Sequence, residues 1–167
     1  MGIITSTLHR ITIKLNSMEF KKMDGTVVNL EDYVKSYLAS HPDIQILVGC
    51  DSQNKGLSTH YAVVVVLYSE GHGGHVIFRK WRVPRENVRT IRLLNEAWYS
   101  VETAELLRKA GLPKPRWIDL DLNPDPKYKS NEAFRQAVGL CEGMGYEIRF
   151  KSLGPLVTAV ADKSVRS

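Results

Sequence analysis

Acidic side chains recur beside the apolar segments of this sequence, and their types and spacing could support chemistry. Asp51 comes directly after a short apolar run, and Asp162 follows another apolar run near the C-terminus. Between them, Asp119 and Asp121 alternate with apolar residues and therefore share one face of a predicted strand. Two carboxylates this close raise each other's pKa unless a cation lies between them. The acids therefore suit a bound cation.

Too few His and Cys residues accompany the acids for a zinc site, which favours Mg²⁺ or Mn²⁺ bound by oxygen atoms. Two such ions about 4 Å apart can activate a water molecule and stabilise the leaving oxygen of a phosphodiester. Each acid also has a purely structural explanation. Asp51 suits a turn, and Asp119 and Asp121 suit the solvated face of an edge strand. Asp162 suits the solvated side of a helix.

A long helix, predicted over about 86–110, carries a further candidate acid. Glu96 lies four residues after Arg92, so an ion pair along the helix explains it as well as a functional role does. Glu96 also lies about 130° from the centre of the predicted apolar face, and Glu102 is therefore a fair substitute. The predicted apolar face comprises Ile91, Leu94, Ala97, Trp98, Val101 and Ala104.

A basic segment precedes and enters this helix. Between residues 79 and 92, six basic side chains and one acid give an excess of five charges, as large as the net charge of +5 of the whole chain. Such a segment suits nucleic acid, or it is the solvated start of a helix. We expect Arg85, Arg89 and Arg92 to share one side of the helix and contact phosphates. The six basic residues are Arg79, Lys80, Arg82, Arg85, Arg89 and Arg92.

The composition is that of a globular domain, because 43% of the 167 residues are hydrophobic and 25% are charged. No apolar run is long enough to span a membrane, and residues 1–10 do not resemble a signal peptide. The two cysteines, Cys50 and Cys141, lack the spacing of a disulfide framework or a zinc site. We therefore expect a cytoplasmic protein with an N-terminal extension, 1–17, and a single domain, 18–167.

Hydrophobic periodicity predicts the elements that position these residues. Asn29 is expected to cap a helix that ends before His41-Pro42, and Asp24-Gly25 marks a turn. The elements that follow have the order βββαβαβα, and the last crossover connection makes its two strands parallel. The predicted helices are 30–40, 86–110, 130–142 and one from Pro155 onward, and the predicted strands are 44–49, 59–69, 75–83, 117–122 and 146–151.

This order of elements, with acids at matching places, resembles the ribonuclease H-like fold. From Asp24 to Arg166 the chain is more specifically similar to the YkuK-type family, a group of predicted ribonuclease H-like nucleases. The residues that carry this likeness are Gly49-Cys50-Asp51-Ser52-Gln53, the strand 118–123 with its loop 124–130, Gly143-Met144-Gly145-Tyr146 and Val160-Ala161-Asp162-Lys163.

The resemblance implies an α/β fold with a five-stranded mixed sheet, order 3-2-1-4-5, and helices on both faces. It implies a nuclease that hydrolyses phosphodiester bonds in RNA, DNA or a hybrid by a two-metal mechanism. No membrane association and no obligate protein partner are expected. The alternative is a non-catalytic nucleic-acid-binding module on the same fold. The implied catalytic residues are Asp51, Glu96, Asp119 and Asp162, and the implied ligands of Mg²⁺ or Mn²⁺ are Asp51, Asp119, Asp121 and Asp162.

Overall fold

A computed structural model describes residues 19–150 of the chain. The predicted extension 1–17, the predicted C-terminal helix and Asp162 lie outside these residues. The strands are β1 (Glu19–Lys22), β2 (Val27–Asn29), β3 (Gln45–Lys55), β4 (Ser58–Ser69), β5 (Gly73–Pro84), β6 (Trp117–Leu120) and β7 (Ile148–Phe150). The helices are α1 (Leu30–Ser40), α2 (Arg89–Lys109), a short 3₁₀ helix (Lys129–Ala133) and α3 (Phe134–Gly143).

The described strands form one seven-stranded sheet in the order β2-β1-β5-β4-β3-β6-β7. The predicted five-stranded sheet is therefore wrong, because two further strands extend it beyond β5. The five predicted strands keep the relative order 3-2-1-4-5. The added strands pair with each other across the turn at Asp24-Gly25, and β1 also pairs with β5. With four and three residues, they are too short to show a clear alternation.

Strand β3 extends further than the sequence predicts. It pairs with β4 as far as Lys55 and turns at Gly56, whose φ of +54° is the left-handed conformation that glycine tolerates. The predicted strand end at Gly49, just before Asp51, is therefore wrong. However, β3 pairs with the parallel strand β6 only as far as Gly49. Asp51 is therefore paired with Ala62 of β4 but lies two residues beyond Gly49, the last residue of β3 that pairs with β6.

The two faces of the sheet have different partners. Residues that pair directly share a face, so Val48 and Val65 lie on one face, and Leu47 and Val66 lie on the other. The first face packs against α1, α2 and α3 in one large core, and we call it the helical face. The second, which we call the opposite face, carries a smaller buried cluster. The sequence predicts helices on both faces of the sheet. Within residues 19–150, however, α1, α2 and α3 all pack against the helical face.

Helix α2 begins three residues later than predicted and buries a different side. Glu96 is only 4% exposed, whereas Ile91 and Trp98 are 45% and 38% exposed. The predicted apolar face is therefore wrong at Ile91 and Trp98, and Glu96 belongs to the buried side. The buried residues of α2 are Leu93, Glu96, Ala97, Tyr99, Ser100, Val101, Thr103, Ala104 and Leu107. No helix within the described residues is long and apolar enough to cross a membrane.

Candidate functional site

Asp51 and Asp119 lie on the opposite face of the sheet, on the adjacent strands β3 and β6. Asp119 pairs with Gly49, and Asp51 follows Gly49 by two residues on the same face. Strand spacing and rise then place the Cα atoms of Asp51 and Asp119 roughly 8 Å apart. Asp121 follows just after the end of β6, and its charge raises the pKa of Asp119. Two neighbouring strands thus bring three carboxylates into one area.

The carboxyl group of Asp119 is almost entirely buried. It is 3% exposed, and its Oδ1 has no hydrogen-bond partner among the described residues. Burial raises the pKa of Asp119 to about 7. The charge of Arg149, which pairs with Asp119 from β7, opposes this increase, and Asp121 adds to it. A buried carboxylate oxygen without a partner is costly unless a cation or a proton satisfies it.

Glu96 approaches the same area from the helical face. The hydroxyl of Ser52 donates a hydrogen bond to its carboxylate Oε1. Burial raises the pKa of Glu96 well above its usual range, and the charges of Asp51 and Asp121 raise it further. The Ser52 hydrogen bond and the charge of Arg92 lower it. Because Asp51 and Ser52 are consecutive, β3 presents one to each face and links Glu96 to the acids of the opposite face.

The alternative helix acid, Glu102, has other neighbours. Burial raises its pKa to about 7, and the charges of Arg79 and Lys109 lower it. Neither Asp51 nor Asp121 contributes to this shift, whereas both contribute to that of Glu96. The structure therefore associates Glu96, and not Glu102, with the strand acids.

These acids fit a hard divalent cation by their chemistry. Mg²⁺ and Mn²⁺ prefer oxygen ligands, and Asp119 offers a buried oxygen that nothing else in the described chain satisfies. Within residues 19–150, however, no three His, Cys, Asp or Glu side chains are grouped closely enough to hold a metal ion. The described residues thus supply suitable donors but not a complete ligand set. The fourth expected acid, Asp162, lies outside them.

The three arginines predicted to contact phosphates have different surroundings. Arg85 precedes α2, and its guanidinium donates to the Gly56 carbonyl and to Asn87 Oδ1, both at 2.8 Å. The expectation that Arg85 shares a side of the helix is therefore wrong, since it ties the β3–β4 turn to the segment before α2. Arg89 is the exposed first residue of α2. Arg92 is half-buried and acts on the pKa of Glu96.

Two neighbours of the acids were not predicted from the sequence as functional residues. Ser52 contacts Glu96 across 44 residues of sequence, and only its place beside Asp51 could have drawn attention to it. Arg149 acts on Asp119 through the pairing of β6 with β7. No local pattern indicates that pairing register, so the role of Arg149 required the structure.

The sheet order, the parallel β3–β6 pair and the acids from two strands and a helix define a ribonuclease H-like α/β protein. The family model described as Ribonuclease H-like matches residues 26–166, which is most of the chain. The chain therefore belongs to the ribonuclease H-like family, and the match confirms its likeness to the YkuK-type group.

Solved structures show more distant similarity. The N-terminal RNase H domain of a Mycobacterium tuberculosis protein is 11% identical, with a TM-score of 0.41, covering 74% of this chain and 94% of that one. RNase H1 of Halobacterium salinarum is 18% identical (TM-score 0.38; 73% and 98% covered). The catalytic domain of human endonuclease V is 18% identical (TM-score 0.32; 55% and 45% covered). The comparison with curated proteins finds no matching relative.

Proposed function

We propose that this protein is a metal-dependent nuclease that hydrolyses phosphodiester bonds in nucleic acid. The observation that carries the proposal is the placement of Asp51 and the buried Asp119 on adjacent strands, with the buried Glu96 held by Ser52 directly beside Asp51. Burying acids beside one another costs stability, because like charges and desolvation both disfavour ionisation. A bound cation would offset this cost, so a cation-binding site explains why the acids are placed here. Membership of the ribonuclease H-like family supports the same conclusion.

In this proposal Asp51, Asp119 and Asp121 hold Mg²⁺ or Mn²⁺, and Asp162 completes the ligand set. The bound ions supply an activated water and charge stabilisation for the leaving oxygen. Ser52 fixes the orientation of the Glu96 carboxylate by its hydrogen bond. Arg149 offsets part of the negative charge at Asp119. Residues 18–167 form the nuclease domain, and 1–17 precede it.

The second candidate is a nucleic-acid-binding module that does not cleave. It is favoured by the exposed Arg85 and Arg89, which can hold phosphates without a bound metal. The two functions differ in their dependence on metal. A binding module holds nucleic acid in the presence of a chelator and releases no product when Mg²⁺ or Mn²⁺ is added.

The test is cleavage of labelled single-stranded, duplex and hybrid oligonucleotides by the full chain in Mn²⁺ or Mg²⁺. Asp51→Asn removes one charge from the proposed site without changing the size of the side chain. Asp43→Asn is the matched control, because Asp43 is exposed in the loop before β3. We expect the wild type and Asp43→Asn to cleave with equal rates and Asp51→Asn to lose at least about a hundredfold in rate, roughly 3 kcal/mol of transition-state stabilisation.

Equal cleavage by wild type and Asp51→Asn would contradict the proposed site. If neither cleaves, but both bind the oligonucleotides in chelator, the binding module replaces the nuclease. A melting temperature of Asp51→Asn within a few degrees of the wild-type value, measured without metal, shows that a loss of rate is not a loss of fold.

A further inference from the structure

The basic segment 79–92 is continuous in sequence but divided in space. Strand β5 alternates its side chains between the two faces of the sheet. Arg79 pairs with Val63 on the helical face, where it stacks over Trp81 with 5.9 Å from Cζ to the ring centre. Lys80 pairs with Ala62 on the opposite face. Arg82 pairs with His60 on that same face, so Lys80 and Arg82 are separated from the other basic residues.

Two further lysines join Lys80 and Arg82 on the opposite face. Lys21 of β1 pairs with Phe78, whose side chain packs in the cluster of that face, and Lys55 of β3 lies on it by alternation from Asp51. Burial lowers the pKa of Lys80, and the charges of Lys55 and Lys21 lower it further, so the three ammonium groups are close enough to repel. We call Lys21, Lys55, Lys80 and Arg82 the basic strip.

The basic strip is continuous with the proposed site. Asp51 pairs with Ala62 and Ala62 pairs with Lys80, so a single row across β3, β4 and β5 joins the acid to the lysine. Two strand spacings place the Cα atoms of Asp51 and Lys80 about 10 Å apart. Lys21, Lys80 and Arg82 are exposed. Cations and acids thus share one face, with Lys21, Lys80 and Arg82 on β1 and β5 and Lys55 at the far end of β3.

We propose that the basic strip binds the phosphate backbone of the nucleic acid and directs it across the opposite face to the acids. This inference rests on the proposed function. Four cations in one area suit a polyanion, and phosphate contacts position a nucleic acid without reading its sequence. The acids repel phosphates unless cations are bound, so a neighbouring basic surface is needed to hold the backbone before cleavage. The strip is distinct from Arg89 and Arg92, which belong to the start of α2.

The test measures binding of fluorescent oligonucleotides by anisotropy in chelator, over a range of salt concentrations. The variant Lys80→Gln/Arg82→Gln removes two cations from the strip. Its matched control, Lys35→Gln/Arg135→Gln, removes one lysine and one arginine from the exposed surfaces of α1 and α3. A second variant, Lys80→Arg/Arg82→Lys, keeps both charges and shows whether charge or local packing is responsible.

We expect the Gln variant to bind on the order of tenfold more weakly at about 0.1 M salt. The slope of log affinity against log salt should fall in magnitude by about 1.4 for a single strand or about 1.8 for a duplex, as expected for two lost phosphate contacts. The control and the charge-retaining variant should bind as the wild type does.

Each other outcome overturns a defined part of the proposal. If the wild type binds no nucleic acid in any form, both the proposed function and the basic strip fail. If the wild type binds and the Gln variant keeps its affinity and salt slope, only the strip fails. If the charge-retaining variant loses as much affinity as the Gln variant, charge is not the cause, and the strip fails as well.

Discussion

The two faces of one sheet are built from the same strands, yet they carry different kinds of side chain. On the helical face, Tyr61 and Ile77 from the strands pack with Leu93 and Leu107 from α2 in a continuous core. On the opposite face the buried cluster is smaller, and acids and bases lie beside it on the same strands. Because neighbouring residues of a strand point to opposite sides, β3 and β5 contribute to both.

A small domain can in this way keep the residues that stabilise it apart from those that could do chemistry. Apolar area buried under the helices stabilises the fold. Asp119 on the opposite face lowers stability, since burial, and to a smaller extent the charge of Asp121, raises its pKa and disfavours its ionised form. Glu96 is the exception, because it is a buried acid on the helical face that touches Ser52. If the division is correct, substitutions on the two faces should change stability in opposite directions.

The largest effect is expected from the core of the helical face. Leu107 is fully buried on α2, and Leu107→Ala should lower the free energy of unfolding by about 2–5 kcal/mol through lost burial and a cavity. The neighbouring Leu106 is half-buried, so Leu106→Ala is the matched control and should cost clearly less. Urea unfolding of both variants measures the difference. Equal losses would mean that the helical face does not dominate the stability.

The opposite change is expected at Asp119. Its pKa of about 7 lies above the unfolded value of 3.8, so the folded chain keeps this proton to a higher pH than the unfolded chain does. Stability therefore falls as pH rises from about 4 to about 7, and the loss remains above pH 7. Asp119→Asn cannot ionise and should be more stable than wild type by about 2–4 kcal/mol at pH 8. The gain should disappear at pH 4.

Thermal unfolding at pH 4 and pH 8 without metal measures this crossover. The control Asp43→Asn, at an exposed position, should show no such pH-dependent gain. Added Mn²⁺ should raise the melting temperature of the wild type more than that of Asp119→Asn, because a ligand of the folded state stabilises it. An Asp119→Asn variant that is less stable than wild type at pH 8 would contradict the assignment of Asp119 as a strained, buried acid.

Local signals in the sequence predicted part of the fold. Helix α1 and its cap are confirmed, because the Asn29 side chain accepts a hydrogen bond from the Asp32 backbone at 3.1 Å, a contact within one turn. The β1–β2 hairpin was not predicted, since its strands are short and β1 is held by pairing with the distant β5. The polar end of β3 lies outside the predicted strand, 44–49, but pairing with β4 extends it to Lys55. Long-range pairing overrides strand propensity there.

The site was predictable in its residue types but not in its positioning. Helix α2 buries Ser100 and Thr103, whose hydroxyls donate to backbone carbonyls four residues earlier at 2.8 Å. These hydrogen bonds allow the two polar residues to be buried. Since the buried side contains polar residues, it is not recognisable as an apolar face in the sequence. Trp98 is apolar but exposed, so including it moved the predicted apolar face away from the side that is buried. Glu96 was consequently predicted away from the buried side that it occupies.

The smallest and most selective effect is expected at Ser52, which joins the two faces. Ser52→Ala removes the hydrogen bond that lowers the pKa of Glu96, so this pKa should rise further. The variant should lose only about 1–2 kcal/mol of stability. Its cleavage rate at neutral pH should fall, and the rate should recover as pH increases, because a higher pH restores the ionised carboxylate. The measurement that tests this prediction is the cleavage rate as a function of pH, not the stability.

Ser100→Ala is the matched control, since it removes a buried hydroxyl that donates to the Glu96 backbone carbonyl and not to its carboxylate. It should lose a similar amount of stability and keep the wild-type pH profile. Ser52→Thr retains the hydroxyl and should also keep that profile. If Ser52→Ala and Ser100→Ala shift the profile equally, the Ser52 hydroxyl does not tune Glu96, and the link between the two faces is one of packing alone.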